Sequence, residues 1–275
     1  MDKSPWINHF YKEGMMCARE DRFAVYGGLV CFRDKHHGDI RKKGRLCVQK
    51  FKYNLVVGAC IGLTITACAT ATGGNIMELP DPQKKGRVSV EEAIENRRSR
   101  REYGKSAMTL KQIGQVLWAA QGITGDRGRK RAAPSAGATY PMELYLVVGE
   151  GGAEGLGSGI YHYLPDNHEL EQTGKEDIQN SLAAAALGQN YVKSAPVDIV
   201  MAADYQRTIR RYGKRGRRYV HMEAGHIGEN IYLQAEAEGL STVVIGAFDE
   251  EEIAKLLGLR DDLVPLYIMP IGRRK

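Results

Sequence analysis

The segment Tyr219–Glu238 constrains the fold most. It sets Val220, Ala224, Ile227, Ile231 and Gln234 with Ala235 at helical spacing, which predicts one long helix of about five turns. His221, Gly225, Gly228 and Tyr232 mark a second face. Two glycines inside a helix cost about 1 kcal/mol each relative to alanine. That cost makes sense where another backbone or a flat ligand approaches closely.

Around this helix the chain alternates short elements without a regular strand–helix–strand rhythm. Ser89 is placed to cap a helix that begins Val90-Glu91-Glu92, with the two carboxylates at its positive end. Thr109 opens a second helix, with Ile113 and Leu117 on one face. Met142–Val148 is a near-continuous apolar run and reads as a central strand buried on both faces. Strands are also expected at Gly159–Tyr163, Glu169–Gln172, Val197–Ala202, Thr242–Ile245 and Leu263–Met269. Helices are expected at Glu176–Leu187 and Glu250–Leu257, the latter capped by Asp249. This interspersed order predicts an α+β fold rather than a doubly wound parallel sheet.

Charge and cysteine are distributed unevenly. The formal net charge is +6, but residues 69–275 hold 27 basic and 27 acidic residues, so the excess belongs to the N-terminal segment. A protein that tracks phosphates would carry the excess on its folded body, so nucleic acid is not an expected partner. All five cysteines lie in the first 68 residues, which removes a disulfide framework, a thiolate metal site and a cysteine nucleophile from the body.

The N-terminal 87 residues divide into three. Residues 48–68 carry an uncharged apolar run, Leu55 to Ala67, behind Lys50 and Lys52, and the run is too short for a bilayer span of about 20 residues. Its end, Leu63-Thr-Ile-Thr-Ala67-Cys68, resembles a bacterial lipobox. That implies a lipoprotein-type signal peptide, lipidation at Cys68 and attachment to the cell envelope through lipid alone. A short buried helix or an uncleaved signal anchor is the alternative for this run, and a cytoplasmic protein the alternative to an envelope one. Residues 1–47 show no sustained period of 2 or 3.6 and are expected to be a non-native extension upstream of the true start, or disordered. Residues 69–87 read as a linker, leaving 88–275 as the functional domain.

Three stretches of that domain carry chemistry. Arg97-Arg98-Ser99-Arg100-Arg101 concentrates four guanidinium groups and a hydroxyl near a helix end, a set that suits bidentate recognition of phosphate or a solvated helix terminus. Ala133–Pro141 is a loop of very small side chains, which exposes backbone N–H groups to anything planar laid against it, or is simply a tight loop. Gly246-Ala247 leaves open space at the entrance of the helix that Asp249 caps.

Together these stretches resemble the nitroreductase superfamily and, through PSAGATYPMELYLV and ADYQRTIRRYGKRGRRYVHMEAGHIGENIYLQAEAEGL, its SagB/ThcOx-type dehydrogenase branch. The resemblance covers about residues 88–272. It implies a mostly antiparallel central sheet flanked by helices, a long central helix, and a homodimer with FMN at the interface. Arg97, Arg98, Ser99 and Arg101 would hold the FMN phosphate, with Arg273 or Arg274 adding a C-terminal contact. Pro134, Ser135, Ala136, Gly137 and Ala138 would line the flavin, as would Gly246 and Ala247. Gly225 and Gly228 are the candidate dimer core. The implied activity is hydride transfer through flavin N5 to or from a small-molecule substrate, with NAD(P)H as an electron donor. A non-catalytic flavin-binding scaffold is the alternative. The sequence departs from many nitroreductases at Ala138 and Tyr140, and at Glu229, where glutamine is expected before Asn230.

Tyr219 and Tyr140 are the candidate proton donors beside the flavin. His221, Glu223 and His226 are spread too widely around a helix to share one metal ion, so no metal site is expected. The basic stretch Arg207–Arg218 reads as a solvated loop, or as a site for an anionic substrate.

Overall fold

A computed structural model describes residues 75–125 and 130–275. The expected extension at 1–47, the signal at 48–68 and lipidation at Cys68 therefore lie outside the described residues. Among the described residues no helix is long and apolar enough to cross a membrane.

In chain order the elements are β1 (Ile76–Glu78), α1 (Val90–Asn96), α2 (Leu110–Gln121), β2 (Ile123–Thr124), β3 (Lys130–Arg131), β4 (Met142–Val148), β5 (Gly159–Leu164) and β6 (Glu169–Gly174). There follow α3 (Gln179–Ala185), α4 (Asn190–Lys193), β7 (Val197–Asp204), α5 (Tyr205–Tyr212), α6 (Gly216–Ala237), β8 (Leu240–Thr242), α7 (Glu250–Leu256) and β9 (Leu263–Arg273). Seven strands form one sheet in the order β1-β6-β5-β4-β7-β9-β8. Every pairing in it is antiparallel.

The central strands alternate cleanly. Leu144, Leu146 and Val148 of β4, and Ile199, Met201 and Ala203 of β7, face the layer that holds α2 and α6. Tyr145 and Val147, with Val200 and Ala202, face the opposite layer of α3, α4 and α7. A strand covered on both sides has no polar face to show, which explains why β4 reads as a continuous apolar run.

Local chemistry starts the helices where the sequence says. Ser89 accepts from the Glu92 N–H at 3.1 Å, and Asp249 accepts from the Glu252 N–H at 3.0 Å. Thr109 forms a full capping box with Gln112, each side chain bonding the other's backbone N–H at 3.2 Å. Thr109→Ala is expected to lower unfolding stability by about 1 kcal/mol, measured as a shift of the urea midpoint at constant slope.

Several expectations need correction. The helix predicted over Glu176–Leu187 is shorter, α3 alone, and Leu187 and Gly188 at positive φ divide it from α4, which was not expected. The basic stretch read as a loop begins as helix α5 and runs through one 3-10 turn into α6. On α6 the second face does not hold together, because Gly228 and Tyr232 point inward while His221 and Gly225 are exposed. Part of the segment read as a linker, Ile76–Glu78, pairs with β6 at the sheet edge.

Candidate functional site

The arginine motif leaves the end of α1 and crosses the open edge of β8, where the Arg100 N–H donates to the Thr242 carbonyl at 2.9 Å. Its side chains then part. Arg97 stacks over the Tyr232 ring at 5.1 Å, with Glu229 3.9 Å from its Nε. Arg98 turns back on its own helix, and its Nη1 donates to the carbonyls of Glu95 and Arg97. Ser99 Oγ lies 2.9 Å from the Tyr232 hydroxyl. Arg101 reaches the other way and lies over the Tyr191 ring at 5.5 Å.

Glu236, one turn beyond Tyr232 on α6, takes Arg100 at 2.6 Å and Arg274 at 2.8 Å. One mostly buried carboxylate is thus shared by two guanidiniums and offsets one of their two positive charges. Among the described residues Arg97 and Arg101 keep only ring contacts and one long ion pair, so their hydrogen-bonding edges are open to an anion. Arg100, Arg101, Arg274, Lys275, Glu102 and Ser241 line a shallow cleft of about 400 Å³. Of the two C-terminal arginines, Arg274 therefore lies with the motif, whereas Arg273 is paired with Glu154 at 3.8 Å. Arg273 Nε is buried and has no hydrogen-bond partner among the described residues.

The turn after β8 joins this cluster through one residue. The Tyr232 hydroxyl accepts from the Val244 N–H at 2.8 Å, two residues before Gly246. Gly246 and Ala247 are exposed, and the Ala247 carbonyl accepts from Gln189 Nε2 at 2.9 Å. Tyr232 thus ties the arginine–serine motif directly to the strand-to-helix turn that carries Gly246 and Ala247.

The small-residue loop forms a second cluster. Ala136–Ala138 make a single 3-10 turn, with Gly137, Ala138 and Tyr140 at φ of 61, 53 and 43°. Positive φ at two non-glycine residues is backbone strain of the kind concentrated at functional loops. Here α5 holds the loop in place. Arg211 Nη1 donates to the Gly137 carbonyl and Arg207 Nη1 to the Tyr140 carbonyl, both at 2.9 Å. Thr208 Oγ1 meets Thr139 Oγ1 at 2.8 Å. Arg207 is itself fixed by Glu143 and by Asp204. Burial pushes the Glu143 carboxyl up, but the hydrogen bond from His162 and the charge of Arg207 outweigh it and hold the group below its usual range.

The Ser135 hydroxyl is committed inside the protein. It accepts from the Tyr140 N–H at 3.0 Å and donates to Glu223 of α6. Glu223 is buried, and burial raises its carboxyl above the usual range against the hydrogen bonds from Ser135 and Gln121. Tyr140 has the Arg131 guanidinium 4.8 Å over its ring, and Tyr219 packs edge-on against Tyr212 at 5.2 Å. A Cβ at Gly137 would lie 2.5 Å from the Tyr212 hydroxyl, so Tyr212 covers the loop more closely than the sequence indicates. His221 bonds the Tyr205 hydroxyl rather than approaching Glu223 or His226.

The two clusters sit on opposite flanks of α6. Tyr232 anchors one and Glu223 the other, and nine residues along an α-helix turn the direction by about 180°. Within one chain, then, the arginine motif and Gly246-Ala247 come together through Tyr232, while Pro134–Ala138 faces elsewhere.

Comparison with known proteins identifies the architecture. Residues 94–273 match the Nitroreductase family model, and the chain belongs to the nitroreductase family, an oxidoreductase family. It is 43% identical over 203 residues to MJ1384, a nitroreductase homologue of Methanocaldococcus jannaschii, covering 73% of this chain and 98% of that one. It is 27% identical over 172 residues to the microcin B17-processing protein McbC of Escherichia coli, covering 61% of this chain and 63% of McbC. The match to McbC agrees with the SagB/ThcOx-type resemblance read from the sequence. Among solved structures, a nitroreductase-type protein of Ralstonia eutropha JMP134 superimposes with a TM-score of 0.64 at 29% identity, over 75% of this chain and 93% of that one.

Proposed function

We propose that this protein is an FMN-dependent oxidoreductase of the SagB type, acting on a small-molecule substrate through hydride transfer, and working as a homodimer. The observation that carries the reading is the pair Arg97 and Ser99, held beside Tyr232 with the Val244–Ala247 turn attached to the same hydroxyl. A phosphate-bearing flavin needs two such features, a cationic donor set for its phosphate and a small-residue turn for its ring. Arg97 and Ser99 would hold the phosphate, joined by Arg274 of the adjoining cleft and by Arg101 once its side chain turns off the Tyr191 ring, and Gly246 and Ala247 would lie against the flavin ring. When bound, FMN supplies the hydride chemistry at N5, and the protein supplies binding, orientation and exclusion of water. Tyr140 and Tyr219 are the proposed proton donors. NAD(P)H is the proposed electron donor.

The opposed flanks of α6 support the homodimer. Pro134–Ala138 of one chain does not reach its own Arg97 cluster by way of α6, but a second copy across the helix supplies the missing half. Val90 and Ile94 of α1 and Met222 of α6 are exposed at 64, 57 and 49%, an apolar surface suited to burial against that copy. The interface would be isologous.

The purified protein supplied with FMN is expected to be yellow, to show the visible flavin absorbance, and to bleach on adding a reduced nicotinamide donor. It should elute as a dimer in size-exclusion chromatography with light scattering. Well-folded protein that takes up no FMN at any concentration would sink the assignment.

A further inference from the structure

We propose that Tyr232 is a positioning residue that fixes Ser99 as an outward hydrogen-bond donor, and thereby sets the preference of the site for a phosphorylated flavin over one ending in a hydroxyl. This rests on the FMN reading given above. A backbone N–H can only donate, so the 2.8 Å contact from Val244 makes the Tyr232 oxygen an acceptor. The phenol has a single proton, and Ser99 Oγ, at 2.9 Å, is its partner. With the bond reversed, the Tyr232 oxygen would receive two donors, and its own proton would be left without a partner on a residue that is only 7% exposed. Buried polar groups avoid that arrangement because an orphaned donor loses its solvation without return. Tyr232 therefore donates to Ser99, and the Ser99 proton is turned away from the protein on an exposed side chain.

The Arg97 guanidinium, stacked on the same tyrosine ring, adds positive charge beside that proton. An anionic, acceptor-only oxygen fits both, and such charge-assisted bonds are roughly twice as strong as neutral ones. A ligand hydroxyl in the same place would take the weaker, neutral bond. Neither the arginine motif nor its spacing reveals this role, because Tyr232 lies far along the chain and reaches Ser99 only in the fold.

The test is equilibrium binding of FMN and riboflavin, which differ only in the phosphate, to the full chain by quenching of flavin fluorescence. Wild type, Tyr232→Phe, Ser99→Ala and the double variant are compared. The preference for FMN over riboflavin is expected to fall about tenfold in each single variant, and no further in the double. Equal weakening of both flavins by Tyr232→Phe, or additive losses of preference in the double variant, overturns the proposal while leaving the FMN reading in place. If Tyr232→Phe does not fold, Ser99→Ala decides alone, since it alters an exposed side chain, and an unchanged preference there overturns the proposal. A wild type that binds neither flavin overturns the proposal together with the reading beneath it.

Discussion

Alanine at both Arg97 and Arg101 is expected to give a folded protein that no longer retains FMN. Each guanidinium–phosphate bond contributes about 1.5–3 kcal/mol, so the dissociation constant should rise by about 100-fold or more. The fold should survive because neither side chain supports much of it. Arg97 gives up a ring contact and an ion pair at 3.9 Å, and Arg101 gives up a ring contact. Such interactions at partly exposed sites contribute about 0.5–1 kcal/mol each, small against a domain stability of about 5–15 kcal/mol. Arg98→Ala separates the two kinds of arginine. Its guanidinium caps carbonyls of α1, so its loss should loosen that helix end and leave FMN affinity nearly unchanged. Flavin titration alongside thermal unfolding checks both. Undiminished FMN affinity in the double alanine variant would falsify the phosphate assignment.

The contrast between Arg98 and its neighbours shows where the sequence stops being readable. The density of charge in 97–101 is plain in the primary structure, as is the apolar run of β4, the period of α6 and the capping serine and aspartate. Each is a local property, decided within one or two turns. What the sequence conceals is the partition of the motif. Glu236 pairs with Arg100, and Tyr232 orders Ser99, each from more than 130 positions away, and Glu236 also holds Arg274. Helix α5 was missed for a related reason. Its apolar positions Tyr205, Ile209 and Tyr212 do recur at helical spacing, but the dense arginines around them obscure it, and the bonds from Arg207, Thr208 and Arg211 to the small-residue loop anchor it. Strand β9 was cut short at Met269 because Pro270 cannot donate to a ladder. In the fold that residue lies opposite Asp198, and pairing continues through Ile271 to Arg273.

Asp198→Asn is expected to stabilise the protein at neutral pH. Asp198 sits in β7 between Val147 and Pro270, fully buried in the layer that holds α3. Gln179 Nε2 donates to its Oδ2 at 3.3 Å, while Oδ1 has no hydrogen-bond partner among the described residues. Burial drives its carboxyl well above 3.8, the hydrogen bond from Gln179 opposes the shift, and the nearby Asp177 charge adds to it. The Tyr103 hydroxyl is also buried and, among the described residues, unpartnered, and burial and the Asp198 charge push its ionisation up, so it stays a neutral phenol. A carboxyl whose folded pKa is raised binds more protons in the native state than in the unfolded chain. Stability is therefore lost as pH climbs from about 4 through the raised folded value. Asparagine cannot ionise and still offers Gln179 an acceptor. The variant should be the more stable by about 1 kcal/mol or more at pH 7, the linkage free energy of keeping a proton on the raised carboxyl. The gain should shrink toward zero as pH approaches about 4, where both forms of the wild type carry the proton. Urea midpoints for the two proteins across this range measure it directly. If Asp198→Asn proves less stable at pH 7 than at pH 4 relative to wild type, the carboxylate is ionised and paired in the native protein, and the sign argued here is wrong.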